Sequence, residues 1–120
     1  APVSVEELAH APAGETSAAI RERVVRARSV QTARFAGEPG THCNAQMTAR
    51  QLQRYAQPDA QAADRLSRAM KALGLSARAY ERILKVARTI ADLDGAPQIG
   101  ARHVAEAVGY RNLDRSSWGE

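Results

Sequence analysis

An arginine in the first turn of a predicted helix is the feature of this sequence with the clearest chemical potential. The run from Leu75 to Asp94 begins with Ser76, whose hydroxyl can cap a helix, and places Arg78 at the second helical position. A cation there opposes the positive end of the helix dipole and loses about 0.3 to 1 kcal/mol relative to an acid. A phosphate would offset this cost, because free first-turn amides and a guanidinium attract the same anion. Arg78 is therefore a candidate phosphate contact, and a stem lying on apolar surface with its head in water is the alternative.

Metal coordination and covalent catalysis are the other chemistries to consider. His42 and Cys43 are adjacent, His103 is distant and no second cysteine is present, whereas metal sites need three or four ligands at helical or turn spacings. The sequence also has no glycine-rich phosphate loop, no paired carboxylates in a plausible cleft and no nucleophile beside a base. We therefore predict no metal site, no catalytic residue and no enzymatic activity for this chain alone.

Small side chains dominate the composition and indicate the fold class. Of the 120 residues 44% are hydrophobic, many of them alanine, and only 4% are aromatic. Such residues suit closely packed helices, whereas strands favour β-branched and aromatic residues. The length corresponds to one domain with a single core. We predict an all-α fold.

The charge balance favours a partner that carries phosphate. The formal net charge is +4, and fifteen of the seventeen basic residues are arginine. Nucleic acid and nucleotide both fit this excess, and a solvated basic surface is the alternative. The single cysteine indicates a reducing compartment, and no apolar run approaches the length needed to span a membrane. We therefore expect a cytoplasmic protein without a membrane partner.

Capping signals and apolar spacing divide the chain into a lead-in, five helices and a tail. Residues 1–14 read as an extended or poorly ordered lead-in, residues 15–115 as the helical domain and residues 116–120 as a polar tail, with the placement of Trp118 left open. The predicted helices run from Thr16 or Ser17 to about Phe35, from Thr48 to about Tyr55, from Pro58 to Leu73, from Ser76 to Asp94, and from near Gly100 to about Tyr110.

Apolar spacing also predicts which residues face the core. In the first helix these are Ile20, Val24, Ala27, Gln31 and Phe35, and in the third they are Ala62, Leu66, Ala69 or Met70, and Leu73. In the fourth helix they are Ala79, Ile83, Val86 or Ala87, Ile90 and Leu93.

Basic residues on the first and fourth helices support two further interpretations. Candidate contacts to DNA or to another subunit are Arg21, Arg23 and Arg28, which belong to a group of arginines that surrounds the first helix and extends to Arg34. Candidate secondary contacts to phosphate or to a subunit are Ser76, Arg82 and Lys85. With Arg88, Arg82 and Lys85 would form either a DNA-facing side or a solvated outer face of the fourth helix.

Three segments resemble a known family. The runs LSARAYERILKVARTIADLDG, QIGARHVAEAVGYRNLDR and IRERVVRARSVQTARF resemble the C-terminal region of magnesium-chelatase-like AAA+ ATPases, in their competence-associated branch. The resemblance covers roughly residues 15 to 115. It implies a helical lid subdomain of an ATPase parent chain, whose ATP and Mg²⁺ are bound mainly by a core domain absent from this chain.

The resemblance also implies roles for particular residues and partners. Arg78 is similar to the sensor 2 arginine that reaches toward the γ-phosphate, and neighbouring subunits of a hexameric ring and branched or single-stranded DNA are the implied partners. Gly100 stands where the family more usually has a polar capping residue, which brings only local stability into question. The alternatives are an autonomous basic helical module that binds DNA and a bundle that serves subunit interaction.

Overall fold

A computed structural model of the chain describes residues 15–113, with side chains up to Tyr110. The predicted lead-in, the predicted tail and Trp118 lie outside the described residues. The division into domain, lead-in and tail therefore stays a prediction.

Five α-helices make up the described part of the chain. They are α1 (Ser17–Arg34), α2 (Ala49–Tyr55), α3 (Ala60–Leu73), α4 (Ala77–Leu93) and α5 (Ala101–Leu113), with a 3₁₀ turn at Asn44–Gln46 between α1 and α2. Residues 15–113 contain no β-strand, and an isolated parallel bridge joins Pro58 to Ile99. The predicted all-α fold of four to five helices is confirmed.

Side chains cap four of these helices where the sequence predicts a helix start. Thr48 and Gln51 form a reciprocal capping box at α2, Thr16 caps α1 and Asp59 caps α3. At α4, Oγ of Ser76 accepts a hydrogen bond from the amide of Ala79 at 3.1 Å. These bonds satisfy amides that have no acceptor within the helix.

The start of α5 uses a capping device that the sequence did not indicate. Gly100 has no side chain to offer, but its amide donates to Nδ1 of His103 at 2.9 Å. Because Nδ1 accepts this bond, Nε2 carries the hydrogen and donates to Oδ2 of Asp94 at 3.0 Å. His103 therefore links the start of α5 to the end of α4.

Helix α4 is the centre of the bundle. It packs against α1, α2, α5 and the 3₁₀ turn, whereas α3 packs mainly against α5. The predicted inner residues Ala79, Ile83, Ala87, Ile90 and Leu93 are all buried. Alanines on α4 let neighbouring helices approach closely, which is how a core with few aromatic residues becomes dense.

Two of the predicted inner faces differ from the structure. Leu73 is 43% exposed, because α3 packs mainly on α5 and buries only Ala62 and Leu66, while Leu73 is its last residue. On α1, Ala27 alone is buried, and Ile20 and Val24 are half-buried. Helix α1 is thus a peripheral element that is held most firmly at its C-terminal end, where Phe35 enters the core.

Candidate functional site

Arg78 lies in the first turn of α4 with its side chain in solvent. The helix begins at Ala77, directly after the Ser76 cap, so Arg78 holds the second helical position as predicted. Among the described residues, Arg78 has no hydrogen-bond or ion-pair partner and is exposed. Since the first amides of a helix also lack acceptors within it, this end of α4 presents a guanidinium and backbone donors to the same region of solvent.

Three of the helices within residues 15–113 have an arginine at their second position, and the structure distinguishes between these arginines. Hydrogen bonds from Gln51 and Tyr55 lower the pKa of Glu38, and the positive charge of Arg50 on α2 adds to this effect. Arg102 of α5 forms an ion pair with Asp94. Of the three, Arg78 is the one for which the described residues supply no acidic partner, so its guanidinium is available to an external anion.

The side of α4 that carries Arg78 changes from basic and exposed to acidic and buried. Residues seven apart lie on the same side of a helix, so Arg78, Lys85 and Asp92 share one side. Arg82 and Lys85 are half-buried, and Asp92 is only 4% exposed. Ser76, Arg78, Arg82 and Lys85 therefore follow one another along the N-terminal half of α4.

Asp92 lies at the centre of a buried polar cluster. Its Oδ1 accepts from Nη2 of Arg34 at 2.8 Å and lies 3.0 Å from Nη2 of Arg88. Its Oδ2 accepts from Nη1 of Arg34 and from Nδ2 of Asn44, both at 2.8 Å. We call Arg34, Asn44, Arg88 and Asp92 the Asp92 cluster.

Arg88 belongs to this cluster and has no DNA-facing surface, contrary to the interpretation that grouped it with Arg82 and Lys85. Its side chain is 4% exposed, and it donates to the carbonyl oxygens of Ala96 at 2.9 Å, Pro97 at 3.3 Å and Tyr55 at 3.4 Å. Burial lowers the pKa of Arg88, and Asp92 counteracts this. The signal that could have revealed it is the spacing of four from Asp92, on a helix that is buried on several sides.

Arg34 is also part of the interior, although the sequence placed it with the outer arginines of α1. Its side chain is 11% exposed and binds Asp92 with both terminal nitrogens. The two residues are 58 positions apart, so no local pattern could indicate the contact.

The three arginines of α1 that were candidate DNA contacts do not form one surface. Arg21 and Arg28 are exposed and, being seven apart, share a side of the helix. Arg23 lies about 200° around the helix from Arg21, is half-buried and pairs with Glu15. The structure therefore brings Arg21 and Arg28 together and separates Arg23 from them.

A groove between α2 and α4 adjoins the N-terminal end of α4. It has a volume of about 210 Å³, and its lining includes Leu52, Ala56, Ala77, Tyr80 and Leu84. Within residues 15–113, no three or more His, Cys, Asp or Glu side chains are grouped so that they could hold a metal ion. In the same part of the chain, none of the helices is long and apolar enough to cross a membrane.

Comparison with known proteins adds a family to this geometry. The family model for the magnesium chelatase subunit ChlI C-terminal domain matches residues 14–111. The competence protein ComM of Haemophilus influenzae is 47% identical over 102 residues, which is 85% of this chain and 19% of that protein. No solved structure matches the chain.

Two further relatives carry no functional description. The uncharacterized protein YifB of Salmonella typhimurium is 42% identical over 106 residues, covering 88% of this chain and 20% of that protein. YifB of Escherichia coli is 39% identical over 102 residues, covering 85% of this chain and 19% of that protein. The chain thus spans about a fifth of the length of these relatives.

Proposed function

Because this chain belongs to the family of magnesium chelatase subunit ChlI C-terminal domains, we propose that it is the helical lid of an AAA+ ATPase in which Arg78 senses the terminal phosphate of ATP. The observation that carries the proposal is Arg78 itself, an exposed arginine in the first turn of a helix capped by Ser76, for which residues 15–110 supply no hydrogen-bond or ion-pair partner. The parent chain is an ATPase in this proposal, and the isolated lid is not an enzyme.

The residues of this chain fit a phosphate better than they fit a magnesium ion. Arg78 and the first-turn amides of α4 supply positive charge and hydrogen-bond donors, which suit phosphate oxygens. Magnesium prefers carboxylate oxygens, and the described residues hold no suitable cluster of acids. ATP and Mg²⁺ are therefore assigned mainly to a core domain outside this chain.

The chemical role of Arg78 in this proposal is electrostatic. Negative charge is spread over the oxygens of a phosphoryl group during its transfer, and a guanidinium placed beside them lowers the barrier. Because Arg78 is fixed to α4, the loss of the terminal phosphate would also release the lid from the nucleotide and change its angle. The lid thereby couples hydrolysis to motion in a ring of neighbouring subunits.

The test is single-turnover ATP hydrolysis by the full-length protein that contains this domain. With Arg78→Ala we expect the rate to fall at least about tenfold, which corresponds to about 1.4 kcal/mol of transition-state stabilisation. Arg78→Lys should recover only part of the rate, because an ammonium group cannot replace the planar fork of donors. Nucleotide affinity is measured in parallel so that binding and chemistry are separated.

Arg50→Ala is the matched control. Arg50 is also an exposed arginine at the second position of a capped helix, so this variant makes the same change in charge and side-chain size. We expect it to leave hydrolysis unchanged. Equal rates for wild type and Arg78→Ala, with the helical fold retained, would remove Arg78 from the active site.

The substrate of the motor is a further part of the proposal. One relative is named a competence protein, and the exposed Arg21 and Arg28 of α1 add positive charge, so we propose DNA as the substrate. The single cysteine of the sequence favours a reducing compartment, and we propose the cytoplasm as the location. The same two arginines favour the alternative in which this face of α1 binds DNA independently or contacts a neighbouring subunit.

A further inference from the structure

The Asp92 cluster joins three elements that are remote from one another in the sequence. Arg34 ends α1, Asn44 begins the 3₁₀ turn, and Asp92 and Arg88 lie in the C-terminal half of α4. The side chain of Asp92 is 1% exposed, and both of its oxygens are occupied at 2.8 to 3.0 Å. A buried carboxylate is costly unless it is fully paired, so this geometry tolerates little change.

Asn44 extends the contact to the rest of α4. Its Oδ1 accepts from Nη1 of Arg34 at 2.9 Å, and its Nδ2 donates to Oγ1 of Thr89 at 3.1 Å. The backbone amide of Asn44 donates to Oε1 of Gln31 on α1 at 2.9 Å. Each element therefore binds the other two, and the cluster holds α4 against both partners at one end of the helix.

Such a cluster fixes the rotation of α4 about its own axis. Arg34 binds Asp92 through two hydrogen bonds, one from each terminal nitrogen to a different carboxylate oxygen, and such a bidentate pair restrains orientation as well as distance. No glycine or proline interrupts Ala77–Leu93, so α4 transmits this constraint along its length. Because Asp92 and Arg78 lie on the same side of α4, the rotation that Arg34 fixes is the rotation that aims Arg78.

A small tilt or roll of α4 at the Asp92 cluster produces a large displacement of the helix at Arg78. Fourteen residues separate the two positions, which is about 21 Å along the helix. A tilt of about 3° at Asp92 moves the helix at Arg78 by about 1 Å, and a roll of about 20° moves its surface by about 2 Å. A misplacement of about 1 Å in an active site can cost up to about a hundredfold in rate.

We propose that Asp92, held by Arg34, is a positioning residue that sets the tilt and roll of α4 and thereby the place where Arg78 meets the phosphate. This inference rests on the proposed function of Arg78. Asp92 touches no nucleotide in this scheme and acts on hydrolysis only through α4.

A double-mutant cycle in the full-length protein separates positioning from plain stability. Single-turnover hydrolysis at saturating ATP is measured for wild type, Asp92→Asn, Arg78→Ala and the double variant, with helical content checked by circular dichroism. Asp92→Asn keeps the shape of the side chain but removes its charge, and we expect a loss of at least about tenfold. In the Arg78→Ala background the same change should cost less than about twofold, because a displaced α4 matters only while Arg78 is present.

Two further variants complete the experiment. Asp64→Asn removes an exposed acid whose ion pair with Arg68 is open to solvent, and it should leave the rate unchanged. If Asp92→Asn fails to fold, Arg34→Gln takes its place in the cycle, since Arg34 lies at the edge of the cluster and is the more exposed partner.

The outcomes distinguish the two proposals. The positioning role is overturned if the rate losses of the two single variants simply multiply in the double variant. It is also overturned if the folded Asp92→Asn or Arg34→Gln variant keeps the wild-type rate. In both cases Arg78 remains the phosphate sensor. An unaltered rate in Arg78→Ala overturns the proposed function, and the positioning role falls with it. If Asp92→Asn slows hydrolysis only when Arg78 is present, both proposals are supported.

Discussion

Asp92 is buried with two arginines, so the cluster carries one more positive than negative charge. The excess is balanced by backbone oxygens, because Arg88 also donates to the carbonyls of Tyr55, Ala96 and Pro97. Tyr55 ends α2, where the helix dipole is negative, and a cation is stabilised there. The same residue type thus serves two purposes in this chain, since Arg34 and Arg88 fix the interior while Arg78 faces solvent.

Glu38 provides a prediction that depends on pH. Its carboxylate accepts from Nε2 of Gln51 at 3.1 Å and from the hydroxyl of Tyr55 at 3.0 Å, and these bonds lower the pKa of Glu38 below its ordinary value of 4.5. A lowered pKa in the folded state contributes stability that is present above pH 4.5 and is lost as the pH falls through the folded-state pKa. Glu38→Gln should therefore lower the thermal midpoint at pH 7, and its difference from wild type should shrink at about pH 3.

Tyr55 extends this prediction to the alkaline side. Burial and the hydrogen bond to Glu38 raise the pKa of Tyr55 above 10.0. Protonated Tyr55 therefore stabilises the folded state below pH 10.0, and this stabilisation is lost as the pH rises through the folded-state pKa. Thermal midpoints across the pH range check both signs, with Glu22→Gln on the exposed side of α1 as the control. A Glu38→Gln effect that stays constant from neutral to acid pH would contradict the role of the charge.

At the scale of helices, most ends could be predicted because the signals are local, although α5 continues to Leu113, three residues past its predicted end. Each helix-end signal lies within four residues of the backbone groups that it caps or reorients, as seen for Thr48 with Gln51, for Ser76 and for Gly74. The position of Arg78 at the start of α4 follows from the same signals. The Asp92 cluster could not be predicted, because Arg34 reaches Asp92 across 58 residues and its burial depends on how α1 packs on α4.

Two glycines at helix ends give a prediction about stability. A Cβ on Gly100 would lie 3.5 Å from Nδ1 of His103 and 3.7 Å from Oδ2 of Asp59, which are ordinary contact distances. Gly100→Ser should raise the free energy of unfolding by about 0.5 kcal/mol, because serine caps better than glycine and restricts the unfolded chain. Urea unfolding measures this change in the free energy of unfolding, and the dependence of that free energy on urea concentration should be unchanged.

Gly74→Ser is the matched comparison at the end of α3. Gly74 has φ of 61°, a left-handed conformation in which a side chain is strained although no atom lies within 4 Å of its position. The same substitution should here lower the free energy of unfolding by about 1 kcal/mol. Changes of equal sign at the two positions would show that backbone conformation does not decide the effect.

At the scale of the whole molecule, the structure reduces the charge that α1 can offer to DNA. Arg34 belongs to the Asp92 cluster and Arg23 pairs with Glu15, which leaves Arg21, Arg26 and Arg28 exposed on this helix. On α4, Arg88 is buried as well. Arg26 lies about 140° around the helix from Arg21, whereas Arg21 and Arg28 share a side, so a DNA-binding face of α1 has two arginines for phosphate contacts.

The salt dependence of DNA affinity tests this surface. Each phosphate that a protein neutralises contributes about −0.9 to the slope of log K against log salt, so the two arginines on this face predict a slope of about −2. Arg21→Glu with Arg28→Glu should flatten the slope to about zero, whereas Arg65→Glu with Lys71→Glu, an equal charge change at exposed positions of α3, should leave it unchanged. Fluorescence anisotropy of a labelled duplex measures the slope. A slope of about −6 would require phosphate contacts beyond the exposed arginines of α1, and equal flattening by both pairs would show that net charge rather than this face of α1 attracts DNA.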